Sequence, residues 1–139
     1  MMIVIDGSGL LLGRMSSQVA KKLLEGEEIH IINAEKLVMV GNPAQIKKRY
    51  LHKRSLKNKA SPERSPKWSK IPHLLVKKMI SGMLPKKCAR GKAALKKLRV
   101  HTGNPKKMEQ NHKIEKASFD GLSKHIVIGD LCKGIGYSG

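Results

Sequence analysis

Residues 1–33, MMIVIDGSGLLLGRMSSQVAKKLLEGEEIHIIN, decide the fold. Met2 to Ile5 is a short apolar run, the pattern of a strand buried on both faces. Asp6-Gly7-Ser8-Gly9 breaks it. From Met15 the apolar residues recur as Met15, Val19 and Leu23, with Ala20 and Leu24 beside them, which is helix periodicity. Lys21 and Lys22 fall outside that stripe, and Gly26 is a good C-terminal stop. Ile29-His30-Ile31-Ile32 repeats the buried-strand pattern. Strand, glycine-rich turn, helix, strand is a βαβ unit, and its crossover should be right-handed. The class is α/β.

Outward from this unit, Asn33 to Lys36 reads as a turn and Leu37 to Val40 as a third apolar run. Asn42-Pro43 is a helix start, with Asn at the N-cap and Pro at the first helical position. Ile46 and Tyr50 follow at helical spacing. Ser55 to Pro72 is rich in Lys, Ser and Pro, with Trp68 its one aromatic residue. It reads as an extended loop that is mobile until it meets a polyanion. Pro72 opens a helix with an apolar stripe of Leu75, Val76, Met79 and Ile80, and Gly82 to Pro85 ends it. A short helix from about Arg90 buries Ala94, Leu95 and Leu98, and Arg99 to Thr102 should be a strand. Asn104 to Asn111 reads as a loop. Phe119, Leu122 and then Ile126-Val127-Ile128 suggest that the tail docks back, the last three as a further strand. Gly134, Gly136 and Gly139 predict a flexible end.

The formal net charge of the 139-residue chain is +19. Its distribution says more than its sum. From Lys36 to Lys107 there are twenty-two Lys and Arg and a single acid, Glu63. Unpaired like charge repels itself until an anion neutralises it, so the middle of the chain predicts a nucleic-acid partner. The densest run is Lys86, Lys87, Arg90, Lys92, Lys96, Lys97 and Arg99, and a second group is Lys47, Lys48, Arg49, Lys53 and Arg54. Tyr50, Trp68, Phe119 and Tyr137 are the whole aromatic inventory. Four scattered rings make no stacking platform for single strands. Folded RNA, held through phosphates and shape, is the expected ligand; Trp68 is open to either base stacking or packing.

Other chemistry is thinly supported. Cys88 and Cys132 have no Cys or His at metal-ligand spacing, the six histidines are scattered, and no metal or cofactor is expected. No nucleophile–base–acid arrangement stands at local spacing. The opening carries Asp6 and lacks the features of a signal peptide, and no apolar run approaches the ~20 residues of a membrane span, so the expected setting is the cytoplasm. The turn Gly7-Ser8-Gly9-Leu10-Leu11-Leu12-Gly13 resembles a dinucleotide-binding fingerprint. Glu35 stands about where a ribose-binding acid would. Its spacing is GxGxxxG, however, and Asp6 with three leucines makes a poor phosphate cradle. The glycines then serve only a tight strand-to-helix turn.

A longer resemblance covers roughly residues 3 to 105. Val4-Ile5-Asp6, Gly13-Arg14, Ile31-Ile32-Asn33-Ala34-Glu35-Lys36 and Gly41-Asn42 are followed by Ile80-Ser81-Gly82-Met83-Leu84-Pro85, Arg90-Gly91, Ala94-Leu95, Leu98-Arg99-Val100 and Gly103-Asn104-Pro105. In order and spacing this resembles the large-subunit ribosomal protein L-thirteen family. Ile126-Val127-Ile128-Gly129 resembles the archaeal and eukaryotic branch, while Ser55 to Pro72 departs from that branch's pattern. The resemblance implies a small, mainly parallel sheet, here of about four strands, flanked by helices, with basic loops and a C-terminal extension. It implies a non-enzymatic structural protein of the large ribosomal subunit, bound to large-subunit rRNA and neighbouring ribosomal proteins, with no small-molecule substrate. The rRNA-facing motif carried over is Gly82 to Pro85 with the basic residues after it. The expected division is an rRNA-binding core at 1–105 and an extension at 106–139 packing back on it. Two readings compete: a nucleotide-dependent enzyme using the glycine turn, and a free regulatory nucleic-acid-binding protein.

Overall fold

The computed structural model describes residues 1–139. Strand β1 (Met2–Asp6) leads through the glycine turn into helix α1 (Leu12–Glu25) and strand β2 (Glu28–Ile32). β1 and β2 pair in parallel, from Met2 with Glu28 to Asp6 with Ile32, so the opening βαβ unit forms as its apolar spacing dictates. Gly26 closes α1 at φ +103°, a left-handed conformation that costs glycine little.

The chain next forms strand β3 (Val38–Val40) and helix α2 (Pro43–Ser55), then helix α3 (Pro72–Gly82), helix α4 (Ala89–Lys96) and strand β4 (Leu98–Val100). Asn42 caps α2 by accepting a hydrogen bond from the Ala44 amide. β4 joins β2 in parallel and completes a three-stranded sheet of order β1-β2-β4. The run at Val38–Val40 does not join it. It pairs antiparallel with strand β5 (His125–Val127) as a separate ribbon. The α/β class therefore stands, with the strands shared between a parallel sheet and a two-stranded ribbon.

The main core lies between the parallel sheet and helices α1 and α3. Ile5, Ile29, Ile31 and Leu98 of the sheet and Met15, Val19, Leu23, Leu75 and Ile80 of the helices are essentially inaccessible. Each such side chain contributes about 1.5–3 kcal/mol through burial. Leu98 contributes as the first residue of β4 rather than from the preceding helix.

The tail docks back through β5 as expected, although Leu122 ahead of it is exposed; the extreme end is a correction. Its glycines predict a loose end, yet helix α5 (Ile128–Gly134) buries Ile128, Leu131 and Cys132, and Ile135 after it is buried too. Gly134 lies flat against the Lys47 side chain, where a Cβ would come within 2.9 Å of Cε. Glycine here permits close packing rather than freedom. Burial pushes the Cys132 thiol up to about 11, while Cys88 is exposed, and neither is in a disulfide. No helix is long and apolar enough to cross a membrane.

Candidate nucleic-acid interface

The glycine turn is the first site to assess, because an anion cradle needs free backbone N–H groups. All five amides from Gly7 to Leu11 are engaged within the chain. Gly7 donates to Ile32 O, Gly9 to Lys36 O, Leu10 to Gly7 O and Leu11 to Ala117 O. The Ser8 backbone amide donates to Asp6 Oδ1 at 3.0 Å, joined there by the Ser8 hydroxyl at 2.8 Å and Asn33 Nδ2 at 2.9 Å. Burial alone would raise the Asp6 pKa. The hydrogen bonds from Asn33 and Ser8, with Lys36 nearby, outweigh it and hold the carboxyl below its usual range. The turn thus already holds an anion of its own. Gly7 fits closely for a different reason: a Cβ would stand 3.1 Å from both Ile32 O and Asn33 O. Glu35 accepts from the Gly103 amide at 2.9 Å, tying down the chain after β4. The amides from Gly7 to Leu11 and one oxygen of Glu35 are thus already in use.

The basic segment after α3 is organised by a turn that sequence reasoning located but explained incompletely. Leu84 is buried and anchors it. Pro85 packs so closely on Gly91 that a Cβ there would stand 2.0 Å from the Pro85 carbonyl oxygen. Gly82, by contrast, ends α3 with open space where its side chain would be and needs no special backbone conformation. The turn is set by Pro85 and Gly91. A glycine inside a helical pattern, which costs stability unless something needs the space, was the signal for Gly91.

All seven cations of the segment, Lys86, Lys87, Arg90, Lys92, Lys96, Lys97 and Arg99, are exposed. Two of them have work inside the protein. Arg90 donates to Leu24 O at 3.0 Å and Lys97 to Gly26 O at 2.8 Å. Both satisfy carbonyls at the C-terminal end of α1, where positive charge is favourable. Lys86, Lys87, Lys92, Lys96 and Arg99 make no intramolecular hydrogen bond or ion pair.

The second group divides likewise. Lys48 and Arg49 are exposed and free. Lys47 lays its stem on Gly134, and Arg54 donates to Ile135 O at 2.9 Å, so both hold α2 to the tail. Lys53 stands over the rings of Tyr50 and Trp68, 4.8 and 4.4 Å from their centroids. Trp68 is half-buried and meets Tyr50 edge-on, so its role in the free chain is packing.

Arg99 belongs to a further basic face. It pairs in register with His30, whose ring stacks on His101 at a centroid distance of 5.6 Å. Burial lowers the His101 pKa, and His30, Lys106, His73 and Arg99 lower it further, each by positive charge or its prospect. No group of three or more His, Cys, Asp or Glu side chains gathers to hold a metal ion.

Across the whole molecule the amino terminus pairs with Glu27, and His30 Nε2 lies 3.5 Å from Glu28 Oε1. None of the 29 Lys and Arg side chains is paired with an acid. Fold and site together define a basic α/β domain with a glycine turn bonded within the chain from Gly7 to Leu11 and a surface of uncompensated cations.

Comparison with known proteins gives the family. Residues 1–107 match the family Ribosomal protein L13, and this chain belongs to that family. It is 41% identical over 136 residues to a large ribosomal subunit protein uL13 of Methanocaldococcus jannaschii, covering 97% of this chain and 98% of the relative. The uL13 proteins of Methanosarcina barkeri and Thermoplasma acidophilum are 41% and 39% identical, each across 97% of this chain and 98% of their own length. The likeness to archaeal relatives thus continues through the tail, beyond the residues that the family match covers. These relatives are named as proteins of the large ribosomal subunit, a structural rather than an enzymatic family.

Proposed function

We propose that this chain is a structural constituent of the large ribosomal subunit in the cytoplasm, where it binds large-subunit rRNA through phosphate and shape contacts and helps assemble or stabilise the particle. The observation that carries this reading is the absence of any ion pair between an acid and the 29 Lys and Arg side chains. Surface cations without counter-charges repel one another, and a polyanion relieves that repulsion while releasing its own counterions.

The binding residues in this reading are Lys86, Lys87, Lys92, Lys96 and Arg99, with Lys48 and Arg49. Arg90, Lys97, Lys47, Lys53 and Arg54 serve first to brace the fold, and reach RNA only with whatever donors remain. Pro85 with Gly91 shapes the segment, and the open surface at Gly82 admits a close backbone approach. Residues 1–105 act as the rRNA-binding core and 106–139 as an extension that holds it together.

Sedimentation of a cell extract through a sucrose gradient tests the reading. The chain should travel with the large subunit and stay there at moderate salt. A chain that remains at the top of the gradient at low and moderate salt overturns it.

A further inference from the structure

Residues 56–71 carry five exposed cations, Lys57, Lys59, Arg64, Lys67 and Lys70, that the basic segment and α2 do not account for. The composition of this stretch is that of a loop which stays disordered until bound. Its geometry is not. The Asn58 amide donates to Ser65 Oγ at 2.9 Å, and Asn58 Oδ1 accepts from the Ser61 amide. Pro62–Arg64 forms one 3₁₀ turn between them. The far end is fastened to the body. Trp68 meets Tyr50 edge-on, with ring centroids 5.7 Å apart. Lys53 of α2 and Lys78 of α3 bring their ammonium groups to 4.4 and 4.9 Å from the Trp68 ring centre. Lys78 also donates to the Lys67 carbonyl oxygen. Trp68 is therefore gripped by two helices, and only three residues separate it from the start of α3 at Pro72.

We propose that residues 56–71 are a preformed phosphate-binding strap, clasped to helices α2 and α3 through Trp68, and that Trp68 is a positioning residue rather than a base-stacking one. Two features support this. The cations over the Trp68 ring are attracted by its π-face, an interaction that holds ring and ammonium together without any acid. A strap already ordered when free loses less conformational entropy on binding, so its five cations engage phosphates at lower cost than those of a mobile loop. The proposal rests on the rRNA-binding reading above, which names the polyanion.

Trp68 is the single tryptophan of the chain, so its fluorescence reports the clasp in the intact protein. In the free wild-type chain we expect emission at shorter wavelength than an exposed indole, with weak quenching by acrylamide. Adding protein-free large-subunit rRNA should leave the emission nearly unchanged. Solvent-like emission in the free chain, or strong quenching on rRNA addition as base stacking requires, overturns the proposal. Trp68→Ala should weaken rRNA binding about tenfold, with the salt slope unchanged because no charge is lost. Trp68→Phe should recover most of the affinity. Limited trypsin digestion guards against general unfolding: Trp68→Ala should speed cleavage after Lys57, Lys59, Arg64, Lys67 and Lys70 while the body resists. Faster strap cleavage with unchanged rRNA affinity overturns the preformed strap. A wild-type chain with clasped fluorescence that fails to bind rRNA overturns the rRNA-binding reading, and the phosphate role of the strap with it, but not the clasp.

Discussion

The turn Gly7–Leu11 and the segment Lys86–Arg99 both present groups that attract anions, and they end in opposite states. In the turn, every amide from Gly7 to Leu11 has a partner inside the chain, and the Asp6 carboxylate takes the Ser8 amide. In the segment, five of seven cations have no intramolecular partner. A donor counts toward binding only while it is free. Residue type and spacing describe supply, and the fold decides how much of that supply is already in use.

The largest effect should come from the free cations. Replacing Lys86, Lys87, Lys92 and Lys96 together by Gln should weaken rRNA binding several-hundredfold near ~0.1 M salt and flatten the salt slope by about 3, at about 0.7 per phosphate contact. The melting temperature of the free protein should hold, since none of the four braces the fold. A binding isotherm series against salt measures both; an unchanged slope would sink the assignment.

Next is the turn that presents them. Gly91→Ala drives a Cβ into the Pro85 carbonyl and should cost about 3 kcal/mol of stability, seen as a lower denaturant midpoint. A loss under about 0.5 kcal/mol would mean that the Pro85–Gly91 contact does not set the turn.

The glycine turn should answer only in stability. The folded-state pKa of Asp6 is depressed, so its stabilising contribution is present above its ordinary value of 3.8 and is lost as pH falls through the lower folded value. Asp6→Asn should remove that acid-range slope and cost under about 1 kcal/mol at neutral pH, a small figure because the carboxyl is partly in water. Nucleotide binding should be nil in both forms. Saturable binding of a dinucleotide by the wild-type chain in equilibrium dialysis would break the comparison at its root.

The smallest effect sharpens the boundary between braced and free. Arg90→Ala removes a donor from the α1 end and should cost about 0.5–1 kcal/mol by thermal melting, with the rRNA salt slope unchanged. A shallower slope with unchanged melting would move Arg90 into the free set.

The opening βαβ unit was legible because its signals are local. Met15, Val19 and Leu23 recur within one helix, and both flanking runs are apolar on each face. Pairing of β3 with β5 was not, since nothing near Val38 says that its partner lies at Val127. The glycine-rich tail misled for the same reason: Gly134 reads as freedom until Lys47 lies against it.

By itself, then, the sequence determined the α/β class, the family resemblance and the excess of cations over acids, all of which follow from residue types and short spacings. Only the tertiary structure decided which cations are free. Arg90 finds its carbonyl 66 positions away and Arg54 finds its own 81 positions away. Such pairs exist because packing of the apolar core brings distant helix ends together, and chain closure on that scale leaves no mark in the spacing of the residues themselves.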